Sequence, residues 1–381
     1  MQGPDHVTGN PRRVFTWLWI VFFFQGMTPG FWLPALTNIL KAQGLSSWVA
    51  LVFMVPPVCS IISPLIGGAL ADQRMAANRL YVWTTLMGAV VLFAAFACLN
   101  AHLHPWFFVS LLGLYSLISG PAWGLLSTIA LTHLAKGERQ FPLVRLGATL
   151  GWMLAGVMTS YVLKADTSPV VGFASSITRM LGGLLALMLP HTPPLGTASS
   201  WKSRLGLDAF RLMKHRDHCV FFVVTTLFSV PLSAFYMYAP ELLKVLGDNK
   251  STATMTIAQF TEVLGMLLVG RVMTKFRVKV VLLWALGLSA FRFALSGYAG
   301  ATGLMGWHVA GIALHAEVDR QPGLRELLHQ FVEPAQARRR RRHGRGIRIL
   351  GAKQGEQIAD LAEDRAGGAA YRAQRLLCPL G

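Results

Sequence analysis

The sequence has few charged side chains for its length. Only 14% of its 381 residues are Asp, Glu, Lys or Arg, whereas 53% are hydrophobic and the mean hydropathy is +0.48. A soluble domain carries about 25% charged residues, so this shortage argues against a water-soluble enzyme and against a nucleic-acid-binding protein. The excess of apolar surface requires a lipid environment.

Cysteine motifs and catalytic constellations are also missing. The four cysteines, Cys59, Cys98, Cys219 and Cys378, lie far apart and none forms a CxxC pair, so neither a zinc site nor a disulfide framework is indicated. No Ser/His/Asp arrangement, phosphate loop or pair of catalytic carboxylates falls on one side of a membrane. We therefore predict no enzyme activity, no metal site and no cofactor.

Long apolar stretches are abundant instead. A membrane-spanning helix needs about 20 mostly apolar residues, and nine stretches meet this requirement. They cover residues 15–40, 48–71, 80–100, 106–131, 143–163, 170–189, 219–240, 254–272 and 278–299, and a tenth at 302–314 stops short. The sequence predicts an all-α, multi-pass membrane protein whose first span is retained. Gln25, Gly26, Pro29, Gly30 and Pro34 suggest that this span is broken or curved and lines a cavity.

Basic residues indicate how these spans are oriented. With a cytoplasmic N-terminus, fourteen Lys and Arg lie in cytoplasmic connections, and four lie outside: Lys41, Lys164, Lys244 and Lys250. Cytoplasmic loops of membrane proteins carry the excess of Lys and Arg. Most of the formal charge of the first 315 residues is therefore an orientation signal, and it predicts a bacterial inner-membrane protein with its N-terminus in the cytoplasm.

The spans fall into two groups. Six spans in residues 1–190 are followed by a polar, cytoplasmic linker at 191–218 and by a second group of spans in 219–315. Many secondary transporters consist of two related bundles around a site at the membrane midplane. We expect this two-bundle organisation here.

Several motifs carry a family resemblance. The Gly67-Gly-Ala-Leu-Ala-Asp72-Gln-Arg74 connection resembles the cytoplasmic loop motif of the major facilitator superfamily. Within that superfamily, residues 141–151, 189–210 and 257–295 are similar to bacterial nucleoside:proton symporters. The resemblance implies the major facilitator fold and proton-coupled import of a nucleoside or a nucleoside-like solute by alternating access. It also implies a monomer in the lipid bilayer, with no nucleic-acid partner.

The resemblance stops near His315. Residues 316–381 contain no run of more than three apolar residues, and they include five consecutive arginines at 338–342. We expect this tail to be disordered or read out of frame, which would leave the C-terminal bundle incomplete and transport weak or absent. The alternative is a non-transporting membrane protein whose basic tail binds anionic lipid or another partner.

Charged residues within the spans are the candidate functional residues, because a charge at the bilayer centre costs about 2.5–3.5 kcal/mol. Glu262 is the only carboxylate inside a predicted span. Desolvation disfavours its charged form, which lets it exchange a proton in the physiological range. Gln259 precedes it by one turn on the same helix face. A structural alternative pairs Glu262 with Arg271 or Arg292.

Arg145 and Thr149 are separated by one turn of the fifth span. Arg145 either contacts the substrate or extends to the cytoplasmic interface, and a pairing with Glu262 in one access state would couple protonation to bundle movement. Where the family has amide side chains in span seven, this sequence has Ser233 and Tyr236. The resemblance thus implies six substrate-binding residues: Arg145, Thr149, Ser233, Tyr236, Gln259 and Glu262.

Two further arginines differ in what the resemblance says of them. Arg292 matches the family and is the expected partner of Glu262 in proton coupling. Arg179, in the middle of the sixth span, has no counterpart in the family pattern. It faces the cavity, pairs with a carbonyl group or marks a degraded sequence, and the sequence leaves these options open.

Overall fold

The computed structural model describes residues 10–59, 63, 75–134, 137–193, 216–260, 262–264, 267 and 278–313. Within these residues every regular element is a helix. The loop motif of Gly67, Asp72 and Arg74, most of the linker, Arg271 and the basic tail lie outside them. Predictions that fall on those residues stay predictions.

The described helices follow the predicted spans in order. They are α1 (Pro11–Trp32), α2 (Leu36–Ala42), α3 (Ser46–Cys59), α4 (Ala77–Asn100), α5 (Pro105–Ser119), α6 (Ala122–His133), α7 (Gly137–Val157), α8 (Val170–Leu185), α9 (Arg216–Val245), α10 (Ser251–Met255), α11 (Val278–Thr302) and α12 (Met305–Ala313). Residues 257–260 and 262–264 are also helical, and a π-helical stretch, Met158–Leu163, continues α7.

Five helical segments are long and apolar enough to cross a membrane. They are Pro11–Ala42, Ala77–Asn100, Pro105–His133, Gln140–Leu163 and Val170–Met188, and they agree with five of the first six predicted spans. The remaining one of those six, 48–71, is described only at its start, in α3. α9 and α11 contain the predicted spans 219–240 and 278–299. The chain is therefore a multi-pass membrane protein.

The local sequence explains where these helices begin. Pro11 opens α1, and the Asn10 side chain accepts a hydrogen bond from the Arg12 amide at 3.1 Å. Pro105 opens α5 behind the His104 cap in the same way. Asparagine caps and first-turn prolines satisfy or remove amide groups that have no partner within the helix.

α4 shows how a span divides its surface between protein and lipid. Tyr81, Thr85 and Leu92 are buried against neighbouring helices, whereas Trp83 is 58% exposed and Phe93 is 49% exposed. Large apolar side chains exposed along one face of a helix indicate contact with lipid. The polar side chains of Tyr81 and Thr85 thus lie inside the protein.

α1 and α7 approach each other closely along a row of glycines. A Cβ on Gly26 would overlap the backbone of Ala148, and one on Gly151 would overlap the backbone of Phe23. A Cβ on Gly147 would lie 2.7 Å from the Trp19 carbonyl oxygen. Small residues allow membrane helices to approach at this distance. We call these contacts the glycine seam.

The expected break in the first span occurs at Pro34. α1 is continuous through Pro29 and ends at Trp32, and the chain turns at 33–35 before α2 begins. Gly26 and Gly30 precede this turn and lie against α7. Gln25 is buried, and its side-chain oxygen accepts a hydrogen bond from the Tyr81 hydroxyl at 2.9 Å.

We refer to residues 10–193 as the first half and to residues 216–313 as the second half. Both belong to one compact unit that ends at Val318. The connections at 43–45, 101–104, 164–169 and 246–250 lie at the end of the helices opposite Pro11. At this end the Trp48 ring contacts His104, and residues of the connections at 164–169 and 246–250 line one surface cavity. We call this end the distal face.

Candidate substrate site

The candidate residues lie on three helical segments that meet near the middle of the Gln140–Leu163 span. α7 carries Arg145, Thr149 and Trp152, which share one face because they are spaced by three or four residues. Tyr236 lies in the C-terminal part of α9. Gln259 and Glu262 lie in the helical residues that follow α10.

A hydrogen bond joins the two halves at this point. The Thr149 hydroxyl donates to Oε1 of Glu262 at 3.1 Å, and both residues are nearly inaccessible to solvent, with exposures of 5% and 9%. Thr149 lies near the middle of the Gln140–Leu163 span. The carboxylate of the second half is thus held by the first half deep inside the protein.

Gln259 lies next to this bond on the same helix face. It is 4% exposed and precedes Glu262 by one turn. Its amide can donate and accept hydrogen bonds. The structure therefore brings together three residues that the resemblance assigned to the substrate: Thr149, Gln259 and Glu262.

Aromatic rings border the same region. The rings of Trp152 and Tyr236 meet edge to face, with centroids 5.9 Å apart, so this contact also joins the two halves. The Arg145 guanidinium lies 5.6 Å from the centroid of the Trp123 ring. The Trp123 ring thus positions the Arg145 side chain. A planar aromatic ligand could stack on rings of this kind.

Arg292 is buried beside this region. It is 1% exposed, and its guanidinium lies 4.1 Å from the Phe235 ring centroid and 4.5 Å from that of Phe293. Phe235 in turn packs against Tyr236. The predicted pairing of Arg292 or Arg145 with Glu262 in the transport cycle stays a prediction.

Ser233 lies within α9, but its side chain is outside the described part of the chain. Its expected role in substrate binding therefore stays a prediction as well.

Arg179 is enclosed within the first half. It is 2% exposed, lies 5.1 Å from the Tyr115 ring centroid, and its Nε and Nη2 have no hydrogen-bond partner among the described residues. A Cβ on Gly88 would lie 2.8 Å from Nε of Arg179 and 2.6 Å from Oγ of Ser119. Gly88 thus leaves room for the guanidinium, and a cation–π contact with Tyr115 partly offsets its desolvation.

A group of polar contacts on the distal face was not predicted. The Asn38 side-chain amide donates to Oγ of Ser251 at 3.1 Å and to the Pro240 carbonyl at 3.3 Å, and Lys41 forms an ion pair with Glu241. These residues lie at helix ends, where polar side chains are expected for solvation alone. Only the small number of charges in the distal connections could have drawn attention to them.

The family model for nucleoside H+ symporters matches residues 13–315. The chain belongs to this family. The match ends where the resemblance was expected to end, and the predicted fold class and transporter class are confirmed. The symporter is therefore a transporter and not an enzyme.

Individual relatives of the symporter agree with this assignment. The putative nucleoside transporter YegT of Escherichia coli is 30% identical over 290 residues, which cover 74% of this chain and 67% of that protein. The nucleoside permease NupG of the same organism is 26% identical over 303 residues, covering 74% and 71%. A structure of a NupG mutant superimposes with a TM-score of 0.68 at 24% identity, covering 79% of this chain and 80% of that one, which supports the major facilitator fold.

Proposed function

We propose that this chain imports a nucleoside or a nucleoside-like solute together with a proton by alternating access. The hydrogen bond between Thr149 and Glu262 carries the proposal. It supports the proposal because a titratable group of the second half contacts the first half near the middle of a span, and secondary transporters bind substrate and coupling ion near the membrane midplane.

Protonation of Glu262 would change this contact directly. A carboxylate only accepts hydrogen bonds, whereas a protonated carboxyl group also carries a donor. The proton that is transported therefore alters the bond that holds the halves together at Thr149. A proton can in this way shift the equilibrium between the inward-open and outward-open states.

The polar groups at the site suit a nucleoside. Gln259, Thr149 and Tyr236 offer amide and hydroxyl groups for ribose hydroxyls and base edges. Trp152 and Tyr236 supply rings on which a base can stack, and Arg145 adds a hydrogen-bond donor. Side chains of this kind discriminate strongly against analogues that lack a matching polar group.

We further propose that the distal face is the outer face of the inner membrane, which places the N-terminus in the cytoplasm. The distribution of Lys and Arg supports this orientation. A monomer is the expected transport unit, since one chain supplies both sides of the site.

Uptake of labelled uridine and adenosine tests the proposal in a bacterium that lacks its own nucleoside transporters. Uptake above the empty-vector control that an uncoupler abolishes supports it, and would contradict the prediction that the chain transports weakly. Nucleoside binding by the purified chain without uptake supports the site and the prediction of weak transport. If neither binding nor uptake is measured, the proposed function is wrong.

Replacing Glu262 separates proton coupling from binding. Glu262→Gln keeps a side chain of similar shape but cannot release a proton. We expect nucleoside exchange across the membrane to persist while accumulation against a gradient falls by about tenfold or more, the effect of losing about 1.4 kcal/mol. Unchanged accumulation in Glu262→Gln would exclude this residue as the coupling acid.

A further inference from the structure

Asp166 joins the two halves at the distal face. It lies in the connection before α8 and is 8% exposed. Its Oδ1 accepts a hydrogen bond from the Ser160 hydroxyl at 2.9 Å and another from the backbone amide of Thr252, in the second half, also at 2.9 Å. The same Ser160 hydroxyl accepts a hydrogen bond from the Ala253 amide at 3.0 Å.

These bonds complete the first turn of α10 from outside its own half. The first amide groups of a helix have no acceptor within the helix, and the residue before α10, Lys250, makes no side-chain capping bond. Asp166 and Ser160 of the first half supply the acceptors instead. A negative charge near a helix N-terminus is also electrostatically favourable.

Neighbouring contacts also join the two halves at the distal face. Besides the Asn38 bonds, the Thr37 hydroxyl donates to the Met237 carbonyl at 2.8 Å. Gly156 has no side chain to keep α10 away, since a Cβ there would lie 3.0 Å from the Thr252 carbonyl oxygen and would overlap the Thr256 methyl group. The halves are therefore in direct contact at the distal face.

A surface cavity of about 450 Å³ lies over these contacts on the distal face. Its buried lining residues are Asn38, Ser160, Asp166 and Ser251, and its exposed ones include three lysines. Solvent reaches the contacts from the distal side, and a solute arriving from there meets them before it meets the substrate site.

We propose that Asp166 is a positioning residue of the transport cycle, which holds the distal gate closed by capping α10 across the interface. The gate consists of Asp166, Ser160, Asn38 and their partners in the second half. Among its polar contacts, Asp166 is buried and bonds a backbone amide through a charge-assisted hydrogen bond, which is about twice as strong as a neutral one. The Lys41–Glu241 pair is more exposed, and exposed ion pairs contribute little. The inference rests on the proposed alternating-access function.

Accessibility of a cysteine beneath the gate tests this role in the full-length chain. Thr256 is 5% exposed and lies one turn deeper than Thr252. Thr256→Cys is introduced into a chain whose native cysteines are replaced by alanine. A separate Thr167→Cys chain shows on which side of the membrane the distal face lies, and a membrane-impermeant maleimide is added from that side. We expect the cysteine at position 256 to be labelled slowly when Asp166 is present. Asp166→Ala should accelerate its labelling by about tenfold, which corresponds to a change of about 1.4 kcal/mol in the free energy of opening the gate. Asp166→Asn, which keeps an acceptor oxygen but no charge, should be intermediate.

Asp248 provides the matched control. It also caps the start of this helix, accepting hydrogen bonds from the Lys250 amide at 2.7 Å and from the Thr254 hydroxyl, but all of these residues belong to the second half. Asp248→Ala should leave the labelling rate unchanged. Equal rates with and without Asp166 would overturn the proposal, and so would equal acceleration by Asp166→Ala and Asp248→Ala.

Disulfide formation across the gate gives a second measurement, which does not use the cysteine at position 256. In Asn38→Cys/Ser251→Cys, whose native side chains are in contact, a disulfide should form readily, and Asp166→Asn should slow its formation. An unchanged rate of disulfide formation in the Asp166→Asn variant would contradict the proposed gate. Neither measurement needs a substrate, so failure of nucleoside transport with an intact gate response would reject only the proposed function. Transport without any response to Asp166 variants would reject only the gate.

Discussion

The Thr149 hydroxyl is the smallest group on which the proposed coupling depends. Removing it changes one donor and little of the side-chain shape. Without it, Oε1 of Glu262 loses a partner from the first half in a nearly solvent-free environment. Hydrogen bonds to charged groups contribute more to stability than hydrogen bonds between neutral groups.

We predict that Thr149→Val lowers proton-driven nucleoside uptake by about tenfold or more, because hydrogen bonds to charged groups contribute about 1.5–3 kcal/mol. Thr149→Ser keeps the donor and should transport at close to the parental rate. Initial uptake rates, normalised to the amount of protein in the membrane, measure the difference. Equal rates for the valine and serine variants would show that the hydroxyl has no role.

The candidate residues of the site could be proposed from the sequence, but not all of their contacts could. The spacing of Gln259 and Glu262, and that of Arg145 and Thr149, could be read from the helical repeat. The bond between Thr149 and Glu262 could not, since the two residues are 113 positions apart and meet only because the halves pack together. Arg179 was recognised as unusual, but its placement beside Gly88 and Tyr115 depends on three helices that no local pattern connects.

At the scale of helices, the glycine seam determines how α1 and α7 pack. Gly26 faces the backbone of Ala148, and Gly30 would place a Cβ 2.9 Å from the Cα of Trp152. Backbone atoms cannot move aside as a flexible side chain can. A methyl group at this seam therefore has to separate the helices.

We predict that Gly26→Ala destabilises the protein by about 1–3 kcal/mol, the range for inserting a methyl group into a packed core. Gly124 is also helical, but a Cβ there would meet nothing within 4 Å. Gly124→Ala is therefore the matched control and should leave stability unchanged or slightly higher. Thermal unfolding in detergent measures both variants, and equal melting temperatures would contradict the seam.

Hydropathy predicted the existence and limits of most described helices, because lipid demands long apolar runs regardless of what they pack against. The sequence also predicted a break in the first span, and this break occurs at the turn that contains Pro34. The close contacts of Gly26 and Gly30 with α7 could not be predicted, because glycine is common both in bent membrane helices and at close helix contacts.

For the whole molecule, the orientation in the membrane is still a prediction. It follows from fourteen basic residues in one set of connections and four in the other, and from the placement of those four near the distal face. Nothing in the packing of the helices depends on which side is cytoplasmic. The orientation therefore needs its own measurement.

We predict that Thr167→Cys reacts with an impermeant maleimide in intact spheroplasts, whereas Arg12→Cys reacts only after the membrane is permeabilised. Both positions are exposed, so access of the reagent depends on the side of the membrane. The control is the parental chain without native cysteines, which should not react. The opposite pattern would place the N-terminus outside.

The glycine seam also makes α1 and α7 a single lever. Ser160 lies thirteen residues beyond Gly147 along α7 and its π-helical continuation, which corresponds to a helical rise of about 19 Å. A rotation of about 15°, as large as that between haemoglobin dimers, would move a point at this radius by about 5 Å. That displacement exceeds the 3.0 Å bond between Ser160 and the Ala253 amide. A slight tilt near Thr149 is thus amplified along one rigid arm until the far end releases.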